Sequence, residues 1–184
     1  MNLTSAILRP LRRFGRARRG VAAVEFAVLA PMMLIVLFGT VDVLDMLHAN
    51  RRVQNTAAAL ADVTARDTEI SNEELSGIWA AMDVLLYPST STDAQARLTS
   101  VRILPDGTAE VVWSEGRGMS PRSAGANVSS DIPDQMRQPG ASLIWSEMDF
   151  PYQSPLGFLT SGEMRFKHSA FRRSRLVDPI PRIA

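Results

Sequence analysis

From Val21 to Val41 the chain is apolar except for one carboxylate, Glu25, and one hydroxyl, Thr40. Wound as a helix at about 1.5 Å per residue, this run measures about 30 Å, the thickness of a bilayer hydrocarbon core. A helix buried in a soluble core usually keeps a polar stripe on one side, and this one has none. The run therefore predicts a membrane span, and whatever else folds must be attached to it. Pro31 lacks the amide that would bond the Ala27 carbonyl, so a kink or local loosening is expected there, which membrane helices tolerate.

The segment before the run is basic only. Arg9, Arg12, Arg13, Arg16, Arg18 and Arg19 give residues 1–20 a formal charge of +6 with no acid to offset it. Of the 20 basic and 19 acidic residues in the chain, 14 and 19 remain after Gly20, so the near-neutral total hides a basic leader and a body of charge −5. Short arginine-rich flanks stay on the cytoplasmic side, which sends the body to the other side. A secretory signal peptide has a similar start, but its apolar stretch is shorter and ends in a small-x-small cleavage site. Here the run ends in Phe38-Gly39-Thr40-Val41-Asp42 without that pattern. A cut is better placed before the run, after Gly20, where the absence of a side chain lets a protease approach the backbone. It would leave a new amine on Val21.

A carboxylate within a span is costly, at about 2.5–3.5 kcal/mol on insertion scales, and needs a partner or a purpose. Glu25 lies one helical turn, about 6 Å, from Val21. The two could neutralise each other within a subunit, or between staggered neighbouring subunits; equally, Glu25 could simply sit at headgroup level.

Arg18-Arg19-Gly20-Val21-Ala22-Ala23-Val24-Glu25-Phe26-Ala27 resembles the start of type IV prepilin-like proteins, and specifically of the TadE-like minor pseudopilins of the tight-adherence (Flp-type) pilus system. In that family a prepilin peptidase removes a basic leader after glycine, and the fifth mature residue is a glutamate followed by Phe or Tyr. Gly20, Val21, Glu25 and Phe26 match position by position. The likeness covers about the first third of the chain, and its specificity comes from leader charge, glycine, glutamate spacing and span together. It implies the intersubunit pairing of Glu25, with Glu25 and Phe26 serving subunit assembly, and an inner-membrane protein with a cytoplasmic N-terminus and a periplasmic domain that enters an extracellular pilus or primes its assembly. The implied partners are the peptidase, other pilin or pseudopilin subunits, the assembly platform and membrane lipid.

The helical pattern continues past the span. Leu44, Leu47, Val53, Ala57, Leu60 and Thr64 form an inward stripe and Asp42, Asp45, Arg51, Arg52 and Asp62 the other side, predicting one helix from Val21 to Arg66 whose second half packs on a soluble partner. Ser71 and Glu74 read as a capping box before a second helix, with Leu75, Ile78, Trp79, Met82, Leu85 and Leu86 on one face and Pro88 as its stop. Trp79 reads as core. A polar connection from Pro88 to Asp93 leads to a hairpin, Ala96–Leu104 and Ala109–Ser114, around Pro105-Asp106-Gly107. Residues 116–140, rich in Gly, Ser, Pro and Arg, predict a long loop, mobile or engaged in contacts. Ala141–Tyr152 is a third strand and Glu163–Arg175 a fourth, with a short turn or helix at Pro155–Thr160 between them. The expected fold is α+β and pilin-like: leader 1–20, transmembrane half-helix 21–41, and an exported domain 42–184 with one further helix and a sheet of about four antiparallel strands.

Chemistry finds little support. With no cysteine there is neither a thiol nucleophile nor a thiolate metal site, and no disulfide staples the domain. His48 and His168 lack companions at ligand spacing. Asp42 and Asp45 share a helix face, but a solvated interfacial pair outweighs an acid/base pair. Gly116-Arg117-Gly118 lacks the helix and lysine of a phosphate loop, and Asn127-Val128-Ser129 matches a glycosylation acceptor only weakly. Arg172, Arg173 and Arg175 could meet phosphates, yet in an acidic body a strand end, a lipid headgroup or a partner subunit suits them better than nucleic acid. No enzyme and no cofactor is expected. The competing class is an uncleaved bitopic anchored module for envelope binding or adhesion, which would keep its leader.

Overall fold

The computed structural model describes residues 18–89, 93–157 and 162–183, with side chains from Gly20 onward. Helix α1, Arg18–Thr64, is 47 residues long and passes through Pro31 without a break in its helical assignment, giving a rod of about 70 Å. It starts before Gly20 and ends two residues short of the predicted Arg66. Helix α2, Asn72–Leu86, begins at the capping box read from sequence. The Ser71 hydroxyl accepts from the Glu74 amide at 3.2 Å, and the Ser71 amide donates to the Glu74 carboxylate at 2.6 Å. Two of the first-turn donors are thereby satisfied reciprocally.

Four strands follow: β1 Gln95–Ile103, β2 Ala109–Arg117, β3 Ser142–Tyr152 and β4 Met164–Arg173. They form one antiparallel sheet in the order β2-β1-β3-β4. The β1–β2 turn closes with Gly107 at φ +82°, a conformation that costs glycine little. In β2 the register shifts because Trp113 pairs with Ser100 but Val111 with Val101, leaving Val112 as the extra residue of a bulge. The bulge explains three consecutive apolar residues in a strand: Trp113 and Val112 pack on the helix side while Val111 faces the other way.

Both faces of the sheet are covered. On one, Leu98, Ile144, Met148 and Phe166 pack against Val53, Ala57 and Leu60 of α1 and Ile78 and Met82 of α2. On the other, Val101, Val111, Leu143 and Trp145 are covered by Val128 and Ile132. These last two belong to the segment 116–140 and sit at either side of a short 3-10 turn, Ser129–Asp131. The loop is therefore engaged in contacts, and it begins later than predicted, since Gly116 and Arg117 lie in β2. A Cβ on Gly116 would come 1.9 Å from the Met119 carbonyl oxygen, so only glycine fits where the chain doubles back.

Two expectations are corrected. Between residues 42 and 49 the inward face of α1 is the opposite of the one predicted: Asp42 is 4% exposed and Ala49 buried, whereas Leu44 and Leu47 are 49% and 44% exposed. Asp42, Ala49, Val53, Thr56, Leu60 and Thr64 continue one stripe at helical spacing, and hydrophobicity alone misplaces its upper end because a satisfied aspartate takes the inward position. On α2, Leu85 is exposed and Trp79 only partly buried against the core, so the continuous face narrows to Leu75, Ile78, Met82 and Leu86. The C-terminal segment, for which no structure was anticipated, returns across the domain. Ile180 is fully buried, its carbonyl accepts from the Trp113 indole at 2.8 Å, and Ile70 donates to the Pro181 carbonyl at 2.9 Å and accepts from the Ile183 amide at 2.9 Å.

Pro155–Gly157 bend back on Ser154, whose hydroxyl accepts from the Gly157 amide at 3.3 Å. The rest of that predicted turn, residues 158–160, and Thr90, Ser91 and Thr92 of the earlier connection lie outside the described residues.

Candidate functional site

The first half of α1 stands clear of the domain. An 18-residue window of this helix reaches a mean hydropathy of 2.5 with none of it buried. Val21, Val24, Phe26, Leu29, Met33 and Leu37 all expose more than half of their surface. An apolar helix with no cover from its own chain requires another apolar phase or another protein around it. Among the described residues, nothing beyond the helix's own neighbouring backbone lies within 4 Å of the position a Gly20 side chain would occupy. Val21 and Glu25 follow on the same uninterrupted helix, one turn apart, and among the described residues Glu25 makes no hydrogen bond or ion pair. Of the leader arginines, Arg9, Arg12, Arg13 and Arg16 lie outside the described residues, and Arg18 and Arg19 open α1.

A second cluster sits where the bare helix meets the domain. Ser154, just past β3, hydrogen-bonds the Asp42 carboxylate. The Tyr152 hydroxyl donates to Asp45 Oδ2 at 2.7 Å, and His168 on β4 pairs with Asn50 Oδ1 at 2.7 Å. Burial, reinforced by the hydrogen bond and charge of Asp45, pushes the Tyr152 phenol up to about 12 and keeps it a donor. The expected solvated pair Asp42 and Asp45 is thus a pair of buried or half-buried acceptors that fasten α1 to the β3–β4 hairpin. Asp42 and Asp45 at i and i+3 in an apolar run, with Tyr152 and Ser154 alternating at a strand end, were the signals available for it.

Next to this cluster lies a cavity of about 450 Å³ lined by Asp45, Arg52, Ser89, Asp93, Tyr152 and Glu163 among others. Among the described residues no three His, Cys, Asp or Glu side chains converge as a metal site. The Arg172, Arg173 and Arg175 cluster is tied into the fold: Arg173 donates to Gln138 at 2.9 Å, Arg175 to Asp62 at 2.7 Å, and Arg172 to the Phe171 carbonyl at 2.9 Å. Arg117 of the Gly-Arg-Gly motif donates to the Trp79 carbonyl at 2.9 Å and pairs with Asp83 at 2.8 Å, and Asn127 accepts from its neighbour Ser129.

A long helix whose apolar first half is left uncovered by the α+β domain it carries suggests membrane anchoring. The family model described as TadE-like protein matches residues 20–62, from Gly20 through Glu25 and Pro31 to Asp62 at the far end of α1. Over this segment the chain is similar to TadE-like proteins. No curated relative and no solved structure matches it.

Proposed function

We propose that the chain is a minor pseudopilin that a prepilin peptidase cuts between Gly20 and Val21 and that then takes part in assembling a tight-adherence pilus. The reading is carried by one conjunction: the TadE-like match opens at Gly20, and the helix that follows presents Glu25 and Phe26 on a surface its own domain leaves bare. The Gly20–Val21 bond lies in the first turn of α1, where amides lack intrahelical acceptors and the helix frays readily, so the bond becomes accessible without disturbing the domain. After the cut, the charged Val21 amine and the Glu25 carboxylate neutralise each other's cost in lipid, between neighbouring subunits in the assembled state. The leader arginines hold the N-terminus in the cytoplasm until cleavage, and the domain faces the periplasm.

Intact-mass and N-terminal peptide mass spectrometry of the protein from its native host should find a chain that starts at Val21. A chain that retains its leader supports the uncleaved anchored module instead. Glu25→Ala should leave membrane insertion unchanged or slightly improved, since an insertion cost of about 2.5–3.5 kcal/mol is removed, while piliation falls. Normal piliation in that strain would remove the assembly role from Glu25.

A further inference from the structure

We infer that the exported domain is seated in the outer headgroup layer of the bilayer, with Leu156 and the outward residues Leu44 and Leu47 in contact with lipid. The inference goes beyond pilus assembly and rests on α1 spanning a membrane.

In sequence, Asp42 and Asp45 should end the span at Val41. In the fold both carboxylates turn toward the domain, where Ser154 and Tyr152 bond them. The flank of α1 away from the domain consequently stays apolar through Val41, Val43, Leu44 and Leu47, each at least 39% exposed. Measured on that flank from Val21 to Leu47, the apolar helix is about 40 Å long, which matches a bilayer with its headgroups and not the hydrocarbon core alone. Past Thr40, whose hydroxyl donates to the Val36 carbonyl at 2.7 Å, the first exposed polar groups on α1 are His48 and Arg51. The Arg51 guanidinium at that height suits the lipid phosphates.

The domain side agrees. The bonds of Tyr152 to Asp45 and Ser154 to Asp42 bring the end of β3 down alongside the top of the span. The bend that follows, Pro155-Leu156-Gly157, exposes 51% of Leu156 at this level. An exposed leucine there is explained by an apolar phase around it, because interfacial elements bury their apolar residues about 5–10 Å into the headgroup and acyl boundary. The same arrangement shields Asp42 and Asp45 from lipid.

The natural absence of cysteine allows single-site labelling of the full chain. Leu34→Cys, Leu47→Cys, Leu156→Cys and Asp131→Cys, each carrying an environment-sensitive fluorophore, would be reconstituted in vesicles of phosphatidylethanolamine and phosphatidylglycerol. Labels at 47 and 156 should lose emission to lipids brominated near the carbonyl end of the acyl chain and resist aqueous iodide, whereas the label at 131 should behave in the opposite way. Quenching of 47 and 156 by iodide alone, with 34 still quenched by brominated lipid, would overturn the seating and leave the span intact. Protection of 156 from both quenchers would overturn it in favour of a protein contact. A label at 34 that brominated lipid fails to quench would bring down the spanning helix itself.

Discussion

Ile180→Ala should lower the thermal midpoint of the full chain in detergent by about 10 °C, corresponding to a loss of about 3 kcal/mol for a fully buried isoleucine in a domain of this size. The residue lies in a segment with no regular secondary structure, yet none of its surface is exposed. It closes the end of the core between α2 and the sheet, and its carbonyl is the acceptor for the buried Trp113 indole. Truncating the side chain leaves a cavity and loosens the strap whose backbone pairs with Ile70 on both sides. Ile183, three residues on and 38% exposed, provides the control: Ile183→Ala should change stability by no more than about 0.5 kcal/mol. Tryptophan fluorescence during melting reads both. Equal midpoints for the two variants would mean that the tail does not seal the core.

Glu147→Gln should be comparably damaging, at about 3 kcal/mol, because it removes the one carboxylate that two part-buried guanidinium groups share. Arg97 binds it in a fork at 2.8 and 2.9 Å, and Arg122 approaches from the other side while its guanidinium lies 3.8 Å from the Trp145 ring centre. All three side chains are at most 20% exposed. The substitution keeps the shape and leaves two cations facing each other without an anion. Burial by itself would raise the Glu147 pKa, but the hydrogen bonds and charges of Arg122 and Arg97 outweigh it and hold the carboxyl below its ordinary value of 4.5. The resulting stabilisation is fully present above that ordinary value and is lost as pH falls through the lower value of the folded state. Melting midpoints measured down through the acid range should therefore fall more steeply in the natural chain than in Glu147→Gln. Parallel curves would show that the cluster carries no net charge stabilisation.

Local signals in the sequence were read well where they act through neighbours. The Ser71–Glu74 capping box and the turn at Pro105-Asp106-Gly107 depend on residues a few positions apart, and each appears as expected. What the sequence concealed depends on partners far along the chain. The orientation of Asp42 inward cannot be anticipated without Ser154, 112 residues away, and hydrophobicity alone then favours Leu44 and Leu47 for the wrong face. Val128 and Ile132 give no periodicity because only two anchors are needed to hold a loop on a sheet. Arg97, Arg122 and Glu147 come from three separate segments and look like ordinary surface charges until β1 and β3 pair and the loop folds over them. Glu25, a carboxylate at the head of an apolar run, stands out before any fold is known, and it lies on the half of α1 that the domain leaves bare.

The fastening of α1 to β3 and β4 has a mechanical consequence. On the proposed assembly role, a subunit drawn out of a bilayer would be loaded along its helix, and the polar ties at Asp42, Asp45 and Asn50 would deliver that load to Ser154, Tyr152 and His168. The β3–β4 hairpin thus takes the pull first, while the β1–β2 pair, farther across the sheet, is shielded from it.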